Sequence, residues 1–298
     1  LFSRAAIHPG LDPSRNGAIG DLAGKTAMSS RARISLDHGR ALGQGLPMTS
    51  TLLLILAALW AGAQNALAGG GSFITLPALM FTGMDARAAN ITSTVALFPA
   101  QLVTGFTGRA DADSPPGLSF WSLFIISVVG GAIGGLILLA TPSSFFARLV
   151  PWLVLFATLV FAWGNFLRKA PAPGEASLPR WATVAIQSGI AIYGGYFGGG
   201  IGFLMMAAFT AAGLAVRKAG ATKNILAGVV NAAAVLIFLF SGEVHWRQVL
   251  ITAVAASIGG WGGALMLRHV NEKALRAGVV AIGLALTIGL FWQAARGT

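Results

Sequence analysis

Gly69-Gly70-Gly71-Ser72-Phe73-Ile74-Thr75-Leu76-Pro77 interrupts an apolar run with three consecutive glycines, and the same device returns later in the chain. The later copy reads Gly198-Gly199-Gly200-Ile201-Gly202-Phe203-Leu204-Met205-Met206. A shift of roughly 130 positions superposes Gly70 on Gly200, Phe73 on Phe203, Gly83 on Gly213, Arg87 on Arg217 and Thr92 on Thr222. Glycine interruptions at matching places in two halves of an apolar chain point to a substrate site between the halves.

Composition sets the class. Of the 298 residues, 55% are hydrophobic and only 10% charged, which excludes an ordinary soluble domain. Apolar runs near the roughly 20 residues needed to cross a bilayer recur along the chain. The 40 glycines fit helices that approach closely in lipid. A net charge of +11 raises nucleic acid as a partner, but no basic stripe with interleaved aromatics appears, so none is expected. With no cysteine, thiol catalysis, thiolate metal sites and disulfides are excluded.

Residues 1–47 are polar and unpatterned, with six Lys/Arg against three Asp. They lack the apolar core of a signal peptide. Met48-Thr49-Ser50 stands directly before the first apolar run, so residues 1–47 are expected to be a disordered or untranslated tail. Gly20-Asp21-Leu22-Ala23-Gly24-Lys25-Thr26 is one residue short of a phosphate-binding loop and has neither the strand nor the helix that such a loop joins.

Beyond the tail, the first repeat (48–168) is predicted to hold helices over Thr51–Ala68, Phe73–Thr82, Ala88–Phe106, Phe120–Leu139 and Leu149–Leu167. A Pro-rich linker (169–181) follows. The second repeat (182–294) holds Ala182–Phe197, Phe203–Ala212, Ala219–Phe240, Val249–Leu267 and Leu275–Phe291. The predicted fold class is an all-α polytopic membrane protein of two homologous repeats, each with about four transmembrane helices and one glycine-broken half helix. Gly131-Ala132-Ile133-Gly134-Gly135 matches Gly259-Gly260-Trp261-Gly262-Gly263, and both read as helix-packing motifs. With four crossings per half, the loop charges give only a small orientation bias. Counting the half helices as crossings makes the repeats inverted and voids that tally.

A break at membrane depth exposes backbone N–H and C=O groups where no water can bond them, so it must line a cavity or be buried in protein. The half helices starting near Ser72 and Gly202 present N-termini with partial positive charge, which suits an anion. The following helices open with polar clusters, Asn90, Thr92, Ser93 and Thr94 with Gln101, then Thr222, Lys223 and Asn224 with Asn231. Such groups donate to an oxyanion or bond between helices, and Lys223 either neutralises the anion or snorkels to the interface. The expected substrate contacts are these residues with Gly69, Gly70, Gly71, Ser72, Gly198, Gly199, Gly200 and Gly202.

All six acids beyond the tail (Asp85, Asp111, Asp113, Glu175, Glu243 and Glu272) fall in predicted loops. His245 and His269 read as solvated. No acid–base set, metal motif or nucleophile triad assembles, so neither an enzyme nor a cofactor is expected.

The pattern resembles the TauE/SafE family of sulfite exporters and toluenesulfonate uptake permeases. Both glycine breaks, Pro77, Arg87-Ala88-Ala89-Asn90-Ile91-Thr92-Ser93, Ala221-Thr222-Lys223-Asn224 with Asn231, and Ser241-Gly242-Glu243-Val244-His245-Trp246 carry it. The resemblance spans Thr51 to Trp292 and implies movement of small sulfur-containing or organic anions across the bacterial inner membrane. Two features depart from it: the second break reads Gly-Gly-Gly-Ile-Gly, and Ala207 stands opposite Pro77. A non-transporting membrane scaffold and a channel-like anion uniporter are the alternatives. The expected partners are a small anion and the lipid bilayer. The oligomeric state, coupling ion and direction of transport are not legible.

Overall fold

A computed structural model describes residues 47–67, 70–107, 109–164, 178–266 and 272–295. Gly69 and most of both the tail and the linker lie outside them, as do Glu175 and His269. The described residues form helices α1 (Met48–Leu67), α2 (Ser72–Phe81), α3 (Ala86–Thr107), α4 (Phe120–Ala140) and α5 (Ser143–Ala162), then α6 (Arg180–Tyr196), α7 (Ile201–Ala211), α8 (Val216–Phe238), α9 (Trp246–Met266) and α10 (Glu272–Ala295). A short 3₁₀ turn covers Arg109–Asp111. The protein is therefore a polytopic helical membrane protein. Helices α1, α4, α5 and α8 are long and apolar enough to span a bilayer, while α2 and α7 are the short apolar pieces. Large side chains such as Trp60, Ile125, Leu136, Phe156, Leu236 and Ile258 face outward and exposed, as contact with lipid requires.

The bounds follow local chemistry. Ser119 caps α4 by accepting the Trp121 N–H, and Pro142 and Pro179 precede α5 and α6, where a missing N–H costs nothing. The α5 helix starts at Ser143, six residues before the expected Leu149. The polar Ser143, Ser144 and Arg148 occupy its first two turns and hide the start from an apolar-run reading.

Hydrogen bonds between loops fix the helix directions. At one end of the molecule, Arg87 at the start of α3 bonds Glu243 before α9 and the Leu139 and Thr141 carbonyls after α4. Ser143, which opens α5, bonds Asp85 at this same end. At the other end, Asp111 and Asp113 after α3 bond Arg217, Lys218 and Thr222 at the start of α8. So α3 and α8 run in opposite directions, and the α2–α3 and α7–α8 turns lie at opposite ends. Helix α6 runs parallel to α4, since Ser127 meets Gln187 and Gly130 meets Ala191 while Gly134 meets Tyr196. Leu54 of α1 packs in the same cluster as Leu79, Phe146 and Val249. Helices α3 and α4 thus run opposite to α8 and α9 respectively.

The halves interlock through glycine. A Cβ on Gly134 would lie 2.1 Å from the Ile192 carbonyl oxygen, and one on Gly195 2.1 Å from that of Gly131. Between α1 and α9, a Cβ on Gly62 would lie 1.9 Å from the Ala256 oxygen and one on Gly259 1.9 Å from that of Leu59. These are backbone contacts that cannot yield without separating helices. Gly259→Ala is expected to cost about 3 kcal/mol and sharply lower folded yield in detergent. Gly262→Ala, with open space beside it, leaves yield unchanged; fluorescence-detected size exclusion measures both.

Candidate functional site

The second break turns on two glycines in the left-handed region, Gly198 at φ +76° and Gly200 at φ +78°, which L side chains resist. Helix α7 starts beyond it, with Phe203 N–H donating to the Gly200 carbonyl at 3.0 Å. The exposed carbonyls are satisfied locally. Tyr193 Oη donates to the Gly199 oxygen at 2.8 Å, and Asn90 Nδ2, from α3 of the other half, donates to the Tyr196 oxygen at 3.2 Å. The first break has Gly70 at φ +80°, and Asn65 Oδ1 accepts the Gly71 N–H at a long 3.5 Å.

Polar side chains of both halves converge on the second break. Thr94 Oγ1 and Asn231 Oδ1 stand 3.6 and 3.8 Å from the point where a Cβ on Gly198 would be. Asn231 Nδ2 donates to Gln101 Oε1 at 2.5 Å, and its own Oδ1 is buried without a partner. Gln101 and Asn231 stand 130 positions apart, the offset that superposes Gly70 on Gly200, and this bond joins α3 to α8. About 12 Å along α8, Lys223 directs its ammonium to Asn224 Oδ1 at 2.8 Å. The same nitrogen is 3.7 Å from the Cβ position of Gly202, in the first turn of α7. Among the described residues no carboxylate pairs with Lys223.

Other expected contacts have structural partners instead. Thr92 Oγ1 accepts the His245 N–H at 3.3 Å, and Thr222 Oγ1 accepts the Asp113 N–H at 3.0 Å and donates to its carbonyl at 2.6 Å. These matching threonines tether the two matching loops. Ser93 is bound to Thr75 at 2.6 Å, which joins α3 to α2. Ser72 and Gly71 lie at the first break, apart from the Lys223 group.

Two aromatic rings lie between the breaks. Phe73 of α2 packs on the second break, 2.9 Å and 3.2 Å from the Cβ positions of Gly199 and Gly200. Phe203 of α7 packs 3.3 Å from that of Gly70 and 4.0 Å, ring to ring, from Phe161. Each break is therefore capped by a phenyl from the other half. The sequence marks Phe73 and Phe203 only as aligned positions. It also marks Gln64 and Asn65, overlooked above, as a polar pair closing an apolar helix just before the glycines.

The two ends are sealed unequally. Arg87 is a quarter exposed or less, and makes a bidentate pair with Glu243 at 2.7 and 3.0 Å. Its Nη1 also donates to the Leu139 and Thr141 oxygens at 3.2 and 2.8 Å, closing the end of α4. The matching Arg217 contacts only one oxygen of Asp111, and both side chains are well exposed. Lys218, through its hydrogen bond, and the Ser114 N–H hold the Asp113 carboxyl below its ordinary range.

The helical chain with paired, mutually capped breaks defines a membrane transporter. The family model for the sulfite exporter TauE/SafE matches residues 54–290, and the chain belongs to that family. It is 26% identical over 231 residues to a probable membrane transporter protein of Haemophilus influenzae, covering 77% of this chain and 89% of that one. It is 27% identical over 250 residues to the probable membrane transporter protein ORF9 of Sinorhizobium sp (83% and 94% of the two chains). The probable membrane transporter protein YfcA of Escherichia coli K12 is 27% identical over 257 residues, 83% and 92% of the two chains.

Arg87→Lys removes the bidentate geometry and is expected to lower stability by about 2 kcal/mol. Arg217→Lys, at an exposed pair, changes it by less than about 0.5 kcal/mol. Thermal unfolding in one detergent compares them.

Proposed function

We propose that the chain carries small oxyanions, sulfite and small sulfonates first among them, across the bacterial inner membrane. The observation that carries this reading is the Lys223 ammonium, half-buried beside the first turn of α7 and, among the described residues, bonded only to a neutral amide. A lone ammonium against the positive end of a helix is unfavourable unless an anion joins them. At about 4 Å such a contact is worth about 4 kcal/mol before desolvation. Asn224, Gln101 and Asn231 carry further amide donors along α8 and α3, while Thr94 gives its hydroxyl proton to the Asn90 carbonyl at 2.9 Å. Thr92 and Thr222 hold the loops around them.

The two halves, 48–168 and 182–294, are read as an inverted duplication that rocks about the Gln101–Asn231 contact. Phe73 and Phe203 separate the breaks, so the anion occupies one break at a time and passes when the rings part. This closed arrangement favours a carrier over an open channel. Among the described residues no carboxylate lies in a helix centre, which favours uniport over proton coupling.

Proteoliposome uptake of radiolabelled sulfite, thiosulfate and small sulfonates tests the reading. Saturable flux is expected for the wild type and a loss of tenfold or more for Lys223→Met. Flux surviving in the variant removes the anion from Lys223, and no flux for any anion rejects the substrate class.

The charges of the connections support one orientation. Among the described residues, Arg109, Arg180, Arg217, Lys218, Lys273 and Arg276 lie in or beside connections at the Asp113 end, against Arg87, Arg148 and Arg247 at the other. We place the Asp113 end in the cytoplasm. Helix α10 then ends outside, so a C-terminal alkaline phosphatase fusion is expected to be active and a green fluorescent protein fusion dark. The reverse pattern inverts the orientation.

A further inference from the structure

Gln64 sits in the last two turns of α1, 3% exposed, and neither its amide nitrogen nor its amide oxygen has a hydrogen-bond partner. Its place is at the first break. Gly71 packs against the Ala61 carbonyl, 2.9 Å from its Cβ position, and sends its N–H to Asn65. Positions 61, 64 and 65 share one face of a helix, so Gln64 lies on the face that abuts the glycines.

A primary amide left unpaired among hydrocarbon costs several kcal/mol. The buried glutamine of the second half, Gln187, by contrast donates to Ser127 at 3.0 Å. The position matching Gln64 is Gly194, where a Cβ would already meet Ile201 and Val230 at 2.9 Å. Conversely, the position matching Lys223 is Ser93, whose hydroxyl is bound to Thr75. The polar equipment of the two breaks is therefore exchanged rather than duplicated, with an ammonium from α8 at one and an amide from α1 at the other.

We propose that Gln64 contacts the transported oxyanion when it occupies the first break. Its carboxamide donates to an anion oxygen beside the start of α2. The path then holds two unequal half-sites, one cationic and one neutral, so that the anion meets a weak station as well as a strong one. This rests on the oxyanion reading above.

The test uses the full chain in proteoliposomes and lipid nanodiscs, with sulfite as the probe. Gln64→Leu is expected to raise the KM for sulfite at least tenfold, while the sulfite-free protein unfolds at an unchanged or higher temperature. Gln64→Asn, which keeps the amide on a shorter arm, is expected to give an intermediate KM. An unchanged KM in Gln64→Leu overturns the proposal. So does a lower unfolding temperature without sulfite, because that loss reports a protein partner for the amide. If the wild type carries no sulfite, the oxyanion reading fails first, and the unfolding comparison still decides whether the amide awaits a ligand.

Discussion

Everything in this molecule depends on satisfying backbone broken at membrane depth. A helix hides its own polar groups from hydrocarbon, and a glycine interruption gives up that shelter. The protein restores it both within and across the two halves. Asn90 of the first half takes the last carbonyl of α6, Tyr193 takes the Gly199 carbonyl, and the two phenyls cover the glycines of the opposite break. Neither break is complete within its own half. Packing therefore has to bring the halves within backbone contact, and the glycine crossings of α1 with α9 and α4 with α6 achieve that.

The proposed inverted duplication would turn this dependence into a mechanism. Helices α3 and α8 point in opposite directions, and the loops that Thr92 and Thr222 tether close opposite ends. The two ends and the two breaks differ in what holds them. One end is tied by a guanidinium that saturates a carboxylate and two carbonyls, the other by exposed pairs that salt would screen. One break holds an ammonium, the other a neutral amide. A carrier that alternates between two states needs them to be close in energy but not identical, and small asymmetries on a shared frame supply that.

Much of the fold was legible because its determinants are local. The apolar runs, both glycine breaks and the half helices are written in composition, and their bounds differ from the expected ones by a few residues, α5 excepted. The direction of each helix was not legible, since it depends on whether a ten-residue half helix completes a crossing, and only contacts such as Arg87–Glu243 decide that. The polar cluster was legible as a group but not in its division of labour. Thr92 and Thr222 differ from Thr94 in what they touch, not in their spacing. Gln64 escaped because one glutamine in an apolar helix carries no periodic signal, and its meaning comes from the lack of any partner in three dimensions.

The central claim is that an oxyanion rests between the Lys223 ammonium and the first turn of α7. The most direct measurement is an anomalous-scattering structure of the protein soaked with selenite, a heavier stand-in for sulfite. The account predicts a selenium peak within hydrogen-bonding distance of Lys223 Nζ, beside Gly202. Peaks confined to other sites, or Lys223 extended to the headgroup layer with its break empty, would contradict it.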